Sequence, residues 1–288
     1  MEVEKEIVIA RPNWVELPRD LTENILHRLE TIELLTSACH VCTSWWNICK
    51  DPHMWRTISM THYCISRISE DNLEMFCRNA IERSCGQLES IDIEHFATDD
   101  LLAYIADSSG HLRHMRISMC GMLSDKGFIE SIKKLPYLES LDISFDYLSK
   151  DSLKAVGRYC PLLQTLICNT TDFDNGVLFA SGETMPGLLH LKMFGVMPTE
   201  DGLFAILNGC PVLESLDLEE CFYVSFEYRK SLEKMCREKI KEFRPPLQFS
   251  CDNDSYGDSE SFYSSLFSFE GFVSIFSKIC RENSDGES

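Results

Sequence analysis

Apolar residues recur through the middle of the chain in one short pattern. The pieces 88-LESIDI-93, 112-LRHMRI-117, 138-LESLDI-143, 163-LQTLIC-168, 188-LLHLKM-193 and 213-LESLDL-218 are apolar at their first, fourth and sixth places, and their starts lie 24, 26, 25, 25 and 25 residues apart. Apolar and polar residues alternate within each piece, as in a strand with one buried face. Two residues before each start stand Gly86, Gly110, Pro136, Pro161, Pro186 and Pro211, turn formers suited to the end of a helix. Ten before, Leu102, Phe128, Leu153, Leu178 and Leu203 predict the buried face of that helix. Capping or acidic pairs precede them, at Thr98-Asp99, Ser124-Asp125, Lys150-Asp151, Asp174-Asn175 and Glu200-Asp201.

A strand and a helix repeated at this period, with the triplet L-x-x-L-x-L, are the signature of a leucine-rich repeat. One unit cannot bury its apolar face alone, so neighbours must stack into a continuous core. The predicted fold class is therefore α/β, a short solenoid whose curved parallel sheet carries helices on the convex side. The ends are irregular. Trp55, Ile58 and Met60 suggest a first strand 33 residues ahead of the next triplet start. At the far end a charged helix, 229-RKSLEKMCREK-239, precedes a last strand near Ile240 and Phe243.

Composition narrows the function classes. The 288 residues carry 27 basic and 46 acidic side chains, a net charge of -19, which argues against nucleic-acid or anionic-membrane binding. No apolar run reaches the length of a membrane span, and the acidic start, MEVEKEIVIA, does not read as a signal peptide. The 14 cysteines are expected as free thiols in a reducing compartment, nucleus or cytoplasm. The pair Cys39 and Cys42 has no second pair at zinc spacing, and reads as two small apolar helix residues. His95, His111 and His114 lack metal partners, and no cofactor is expected. Neither a phosphate-binding glycine loop nor a nucleophile or zinc-protease motif is present.

The first 58 residues hold more apolar side chains than so short a segment can hide. Leu17-Pro18-x-x-Leu21-x-x-x-Ile25-Leu26-x-x-Leu29, then Leu34-Leu35, Val41-Cys42-x-x-Trp45 and Asp51-Pro52-x-x-Trp55 resemble the F-box motif. Followed by cysteine-containing leucine-rich repeats, this resembles the plant F-box/leucine-rich-repeat proteins, over residues 14 to about 244. The resemblance implies a helical F-box at 13–58, after a disordered 1–12. A repeat domain of about six repeats plus caps follows at 59–247, and an acidic disordered tail at 248–288. It also implies a non-catalytic substrate receptor of an SCF-type ubiquitin ligase, joined to a Skp-type adaptor and through it to cullin and RING subunits. By motif match the adaptor surface would be Leu17, Pro18, Ile25, Leu26, Leu34, Leu35, Val41 and Trp45, with Leu21, Leu29 and Trp55 packing the bundle itself.

Side chains between the buried leucines should face the concave side. These include Asp92, Glu94, His114, Arg116, Asp142, Asn169, His190, Lys192, Phe194 and Asp217. Six strands would span about 25 to 30 Å. Acidic residues outnumber basic ones there, so a basic or neutral protein substrate is expected, bound less tightly as salt is added. No arginine cluster suited to a phosphorylated motif is evident. From 251 to 288 eight acidic and two basic residues accompany interleaved Phe and Tyr, and 265-SLFSFEGFVSIFSKI-279 could form a short amphipathic helix. The alternative to a ligase subunit is a leucine-rich interaction module or scaffold working outside a ligase.

Overall fold

The triplets form strands wherever a helix covers them from one side. In the computed structural model, which describes residues 17–61, 69–121, 123–144, 149–169, 176–196, 198–219, 221 and 229–246, every triplet contributes a parallel strand. These are β2 (Ser90–Glu94), β3 (His114–Ser118), β4 (Ser140–Ser144), β5 (Thr165–Asn169), β6 (His190–Phe194) and β7 (Ser215–Asp217). Both irregular ends pair as well, β1 (Thr57–Met60) with β2 and β8 (Glu242–Arg244) with β7. The arc thus has eight strands in chain order, not six. Seven steps make it about 34 Å along the sheet.

The register is uniform. The carbonyl that precedes each strand accepts two N–H groups of the next repeat. Arg56 accepts from Glu89 and Ser90, Glu89 from Arg113 and His114, and Arg113 from Glu139 and Ser140. The pattern continues through Leu189, which accepts from Glu214 and Ser215. Inward residues of successive strands therefore stack on each other. Ile91, Met115, Leu141, Leu166, Leu191 and Leu216 are all buried.

Between the strands run α4 (Glu70–Arg83), α5 (Asp99–Ser108), α6 (Asp125–Ile132), α7 (Lys150–Tyr159), α8 (Gly176–Thr184), α9 (Glu200–Gly209) and, last, α10 (Arg229–Lys239). N-cap side chains open four of them, from Thr98, Ser124, Ser149 and Thr199. The last two lie one residue ahead of the expected Lys150-Asp151 and Glu200-Asp201, because a hydroxyl caps better than a long side chain. Behind the first two caps the acidic residue does different work: it reaches the next repeat. Asp99 Oδ1 accepts from Ser124 N at 2.8 Å and Oδ2 from the Ser124 hydroxyl at 2.6 Å. Asp125 accepts from Ser149 N at 2.9 Å and from the Ser152 hydroxyl. Burial would raise the Asp125 carboxyl, but the hydrogen bonds from Ser152 and Ser149 outweigh it and hold the group below the usual range.

Two glycines let α8 and α9 meet backbone to backbone. A methyl on Gly209 would overlap the carbonyl of Gly182, and one on Gly182 would lie 2.5 Å from the carbonyl oxygen of Ala205. The cysteine column fills the opposite ends of the helices. Cys160 and Cys210 donate their thiols to carbonyls of the preceding repeat, Leu135 at 3.5 Å and Ser181 at 3.7 Å. Cys85, at the same position of the repeat ahead of β2, is exposed and left-handed, and with Gly86 it terminates α4.

The proposed disordered ends, residues 1–12 and 248–288, the helix suggested at 265–279 and the pair Asp174-Asn175 lie outside the described residues.

Gly209→Ala should destabilise the chain by about 1–3 kcal/mol in urea unfolding, the overlap with Gly182 outweighing the gain of about 1 kcal/mol that alanine brings to a helix. Asp125→Ala should cost about 1–2 kcal/mol at neutral pH. Because the folded carboxyl titrates below its unfolded value, its contribution is complete above about pH 4 and disappears as pH falls through the folded value. Urea midpoints of variant and wild type should therefore converge in acid.

Candidate interaction surfaces

The N-terminal segment folds as α1 (Arg19–Leu26), α2 (Thr31–Thr36) and α3 (Thr43–Cys49), with 3-10 turns at Ala38–His40 and Pro52–Trp55. Local chemistry places each end. The Thr22 hydroxyl bonds the Pro18 carbonyl at 3.1 Å, Glu30 and Glu33 form a capping box on α2, and Cys42 Sγ caps α3 by accepting from Trp45 N at 3.5 Å. Cys39 is buried. The Cys39–Cys42 spacing thus serves a cap and a core position, and among the described residues no His, Cys, Asp and Glu group could hold a metal.

This segment is continuous with the repeats. Trp55 is fully buried and donates its indole N–H to the Cys49 carbonyl at 2.8 Å. The Thr31 hydroxyl, buried on α2, accepts from Ser59 N at 3.0 Å and so caps the outer edge of β1. Arg83, at the end of α4, sets its guanidinium 5.8 Å from the centre of the Trp46 ring and 5.2 Å from that of Trp55. Lys50 lies 5.0 Å from the same Trp46 ring, and His40 stacks on it. Neither Trp46 nor Arg83 carries a motif signal, since their meeting is set by the fold and not by local spacing.

The apolar residues of the segment divide into two sets. Leu26, Leu34 and Leu35 are inside, at 0%, 5% and 9% exposure. These three were expected to face an adaptor, but they fill the core formed with Ile48 and Trp55. Leu21 was expected inside and is 49% exposed. It shares a face of α1 with Pro18 and Ile25 by helical spacing. Pro18 is exposed, and Leu17, Ile25 and Trp45 are half-buried. Val41, at the end of the 3-10 turn that precedes α3, is 58% exposed. Beside the half-buried Leu29 and Trp46, the apolar residues left at least partly in solvent are Leu17, Pro18, Leu21, Ile25, Val41 and Trp45.

The concave face carries two rows of charges held in register. Along the strand middles stand Ser59, Asp92, Arg116, Asp142, Ile167, Lys192, Asp217 and Arg244. Arg116 bridges Asp92 at 2.8 Å and Asp142 at 3.3 Å, and Asp217 is approached by Lys192 at 3.9 Å and Arg244 at 3.5 Å. Burial works against the Arg116 charge, but Asp92, Asp142 and Glu94 raise its pKa overall. Just before the strands, Arg56 pairs with Glu89, Arg113 with Glu139 at 3.1 Å, and Glu214 with Lys241 at 2.7 Å. The acidic surplus expected of this face is therefore largely met within it, and Arg244, on the cap strand, belongs to the same network.

Asp92, Arg116, Asp142, Lys192 and Asp217 lie together in that row, with Glu94 half-buried at its edge. His114 and His190 are exposed in the neighbouring row. Phe194, expected to face a substrate, is 6% exposed, with the Lys192 ammonium 4.7 Å from its ring centre. The strand ends there. The Asn169 side chain lies outside the described set. Burial pushes the Cys77, Cys160 and Cys168 thiols up to about 12, the opposite of the lowered pKa that a reactive cysteine needs. Among the described residues no helix is long and apolar enough to cross a membrane.

Comparison with known proteins agrees with this layout. Residues 14–61 match the F-box-like family model. The chain is 44% identical over 249 residues to the F-box protein SKIP19 of Arabidopsis thaliana, covering 85% of this chain and 79% of that protein. It is 40% identical to the putative F-box/LRR-repeat protein 22 of the same plant, over 85% of this chain and 79% of that one. To the putative F-box/LRR-repeat protein 23, also of Arabidopsis thaliana, it is 41% identical over 84% of this chain, yet it spans only 54% of that relative's length.

Arg83→Ala should remove both tryptophan contacts and lower stability by about 1–2 kcal/mol, with Arg83→Lys recovering only part. Urea unfolding followed by tryptophan emission checks this, and equal midpoints for Arg83→Ala and wild type would contradict it.

Proposed function

The chain belongs to the plant F-box/leucine-rich-repeat family, and on that premise we propose that it is the substrate-recognition subunit of an SCF-type ubiquitin ligase. Family membership supports a substrate-adaptor role in such ligases in general, without catalysis of its own. The finer reading is that the apolar set on α1 and α3 docks on a Skp-type adaptor, and that the concave face of the sheet receives a protein substrate. Cullin and RING subunits would join through the adaptor and supply the transfer chemistry. This chain would then contribute proximity, holding a substrate lysine where the charged carrier can reach it.

One observation carries the reading. The N-terminal segment already has a filled core around Leu26, Ile48 and Trp55, yet it leaves Pro18, Leu21 and Val41 in solvent on neighbouring elements. A segment that needed these residues for its own stability would have buried them. Apolar side chains left in solvent by a segment whose core is complete point to a protein interface. The continuous packing through Thr31, Trp55 and Arg83 fits the same role, because it ties the two surfaces to one rigid body.

Co-purification with a Skp adaptor tests it. Wild type should form a stoichiometric complex, and Leu17→Ala with Pro18→Ala, or Leu21→Asp alone, should weaken capture at least roughly tenfold with the thermal midpoint kept. Leu26→Ala should behave in the opposite way, costing about 2–5 kcal/mol of stability through a core cavity. A well-folded wild type that ignores the adaptor would favour a free-standing interaction module.

A further inference from the structure

The charges of the concave face stop in the middle. The two paired networks lie on β1–β4 and on β6–β8, and between them both rows become uncharged. Gln164 occupies the row before the strands at β5, Leu189 the same row at β6, and Ile167 the mid-strand row at β5. Gln164 is exposed, and Ile167 and Leu189 are half-buried.

Next to this neutral strip the turns that lead into the strands are apolar and open. Tyr137, Leu162 and Val212 occupy one repeat column and are 48%, 47% and 47% exposed. Each follows an exposed proline of the turn column. Gly187 holds the same column between Leu162 and Val212. A Cβ there would meet nothing nearer than the Leu163 carbonyl oxygen at 3.9 Å, so the rim has an open step at this point. Isolated exposed apolar residues are ordinary. Here the repeat sets them along a single edge, Tyr137 and Leu162 one strand step of about 4.8 Å apart and Val212 two steps further on across Gly187.

We propose that this rim and the neutral strip beside it are where the substrate is anchored. The occupant is a polypeptide segment bearing uncharged aliphatic or aromatic side chains, and not a basic segment drawn to an acidic face. The inference rests on the reading of the concave face as the substrate surface. Its physical basis is a comparison of desolvation costs. Covering the flanking networks would strip water from ion pairs that already engage one another and so return less to a charged partner. Covering Leu162, Val212, Ile167 and Leu189 removes only apolar surface from water, while Gln164 offers hydrogen bonds that fix the segment's register.

The test pans a phage-displayed library of random dodecapeptides on the full-length chain and titrates the synthesised consensus peptide. The expected consensus has aliphatic or aromatic residues at a fixed spacing and no preference for net charge. Its affinity should change less than about twofold between about 50 and 300 mM NaCl. Leu162→Ser with Val212→Ser should weaken it roughly tenfold or more with the thermal midpoint unchanged, while Arg116→Ala should move it less than about threefold. A Lys/Arg-rich consensus with steep salt dependence would overturn the proposal, as would the absence of any consensus. A consensus that copies residues 265–279 would also overturn it, by making the chain's own tail the occupant. So would self-association abolished by the rim variant, which would make a second copy the occupant. Skp-adaptor capture is read on the same proteins. Its failure in wild type would sink the ligase reading while leaving the rim result intact, and its retention by the rim variant separates the two surfaces.

Discussion

Everything in this chain depends on the in-register stacking of parallel strands. One carbonyl per repeat accepts two N–H groups of the next, and this fixes each residue about 4.8 Å from its counterpart one repeat away. A column must therefore tolerate its own neighbours. Leucine beside leucine is favourable, and the inward columns are apolar throughout. Like charges at that distance repel, so a charged column is stable only if its sign alternates. The runs Arg56, Glu89, Arg113, Glu139 and Asp92, Arg116, Asp142 satisfy this condition. The concave face is thus shaped first by the demands of the solenoid.

The same constraint leaves a problem at each end, where a strand edge has no partner. At the start it is solved by the F-box. Thr31 accepts the Ser59 amide of β1, Trp55 enters the core below, and Arg83 lies against two tryptophans. An exposed edge would otherwise invite pairing with another chain. The F-box is therefore both the cap of the solenoid and the carrier of the apolar surface on α1 and α3. Once Leu26, Leu34 and Leu35 are given to the cap, what remains outside is a narrow set around Pro18, Leu21 and Val41. The core and the exposed apolar set draw on different residues of the same short segment.

Much of this was legible in the sequence, and the failures have definite causes. The period and triplets announced the strands because strand burial has a period of two and the repeat has one length. The irregular cap strands were visible as Ile58 and Phe243, yet the arc was judged shorter than its eight strands because neither obeys the period. The division of the F-box leucines was not legible. Leu21, Ile25 and Leu29 make one helical stripe, but a stripe does not say which face meets the core, and Leu26 next to it took the interior. Charges failed for a related reason. Counted along the chain they are an acidic surplus, and only the register of β2 to β4 shows Arg116 between Asp92 and Asp142. Arg83 and Trp46 are far apart in sequence and share no motif, so nothing local could join them.

A surface saturated by its own pairs changes what net charge means for recognition. The chain as a whole is at -19, and long-range attraction of cations follows from that sum. Close contact depends instead on which groups still have an interaction to offer once water leaves. On β2 to β4 the carboxylates are already committed to arginines, and near β7 and β8 Asp217 is shared between Lys192 and Arg244. The places that gain most from being covered are those where the columns carry no charge, at Ile167, Leu189 and the turn residues before them. In a solenoid whose columns must alternate in sign to be stable, a break in the alternation is where the stacking constraint relaxes, and so where the face is freest to specialise for a partner.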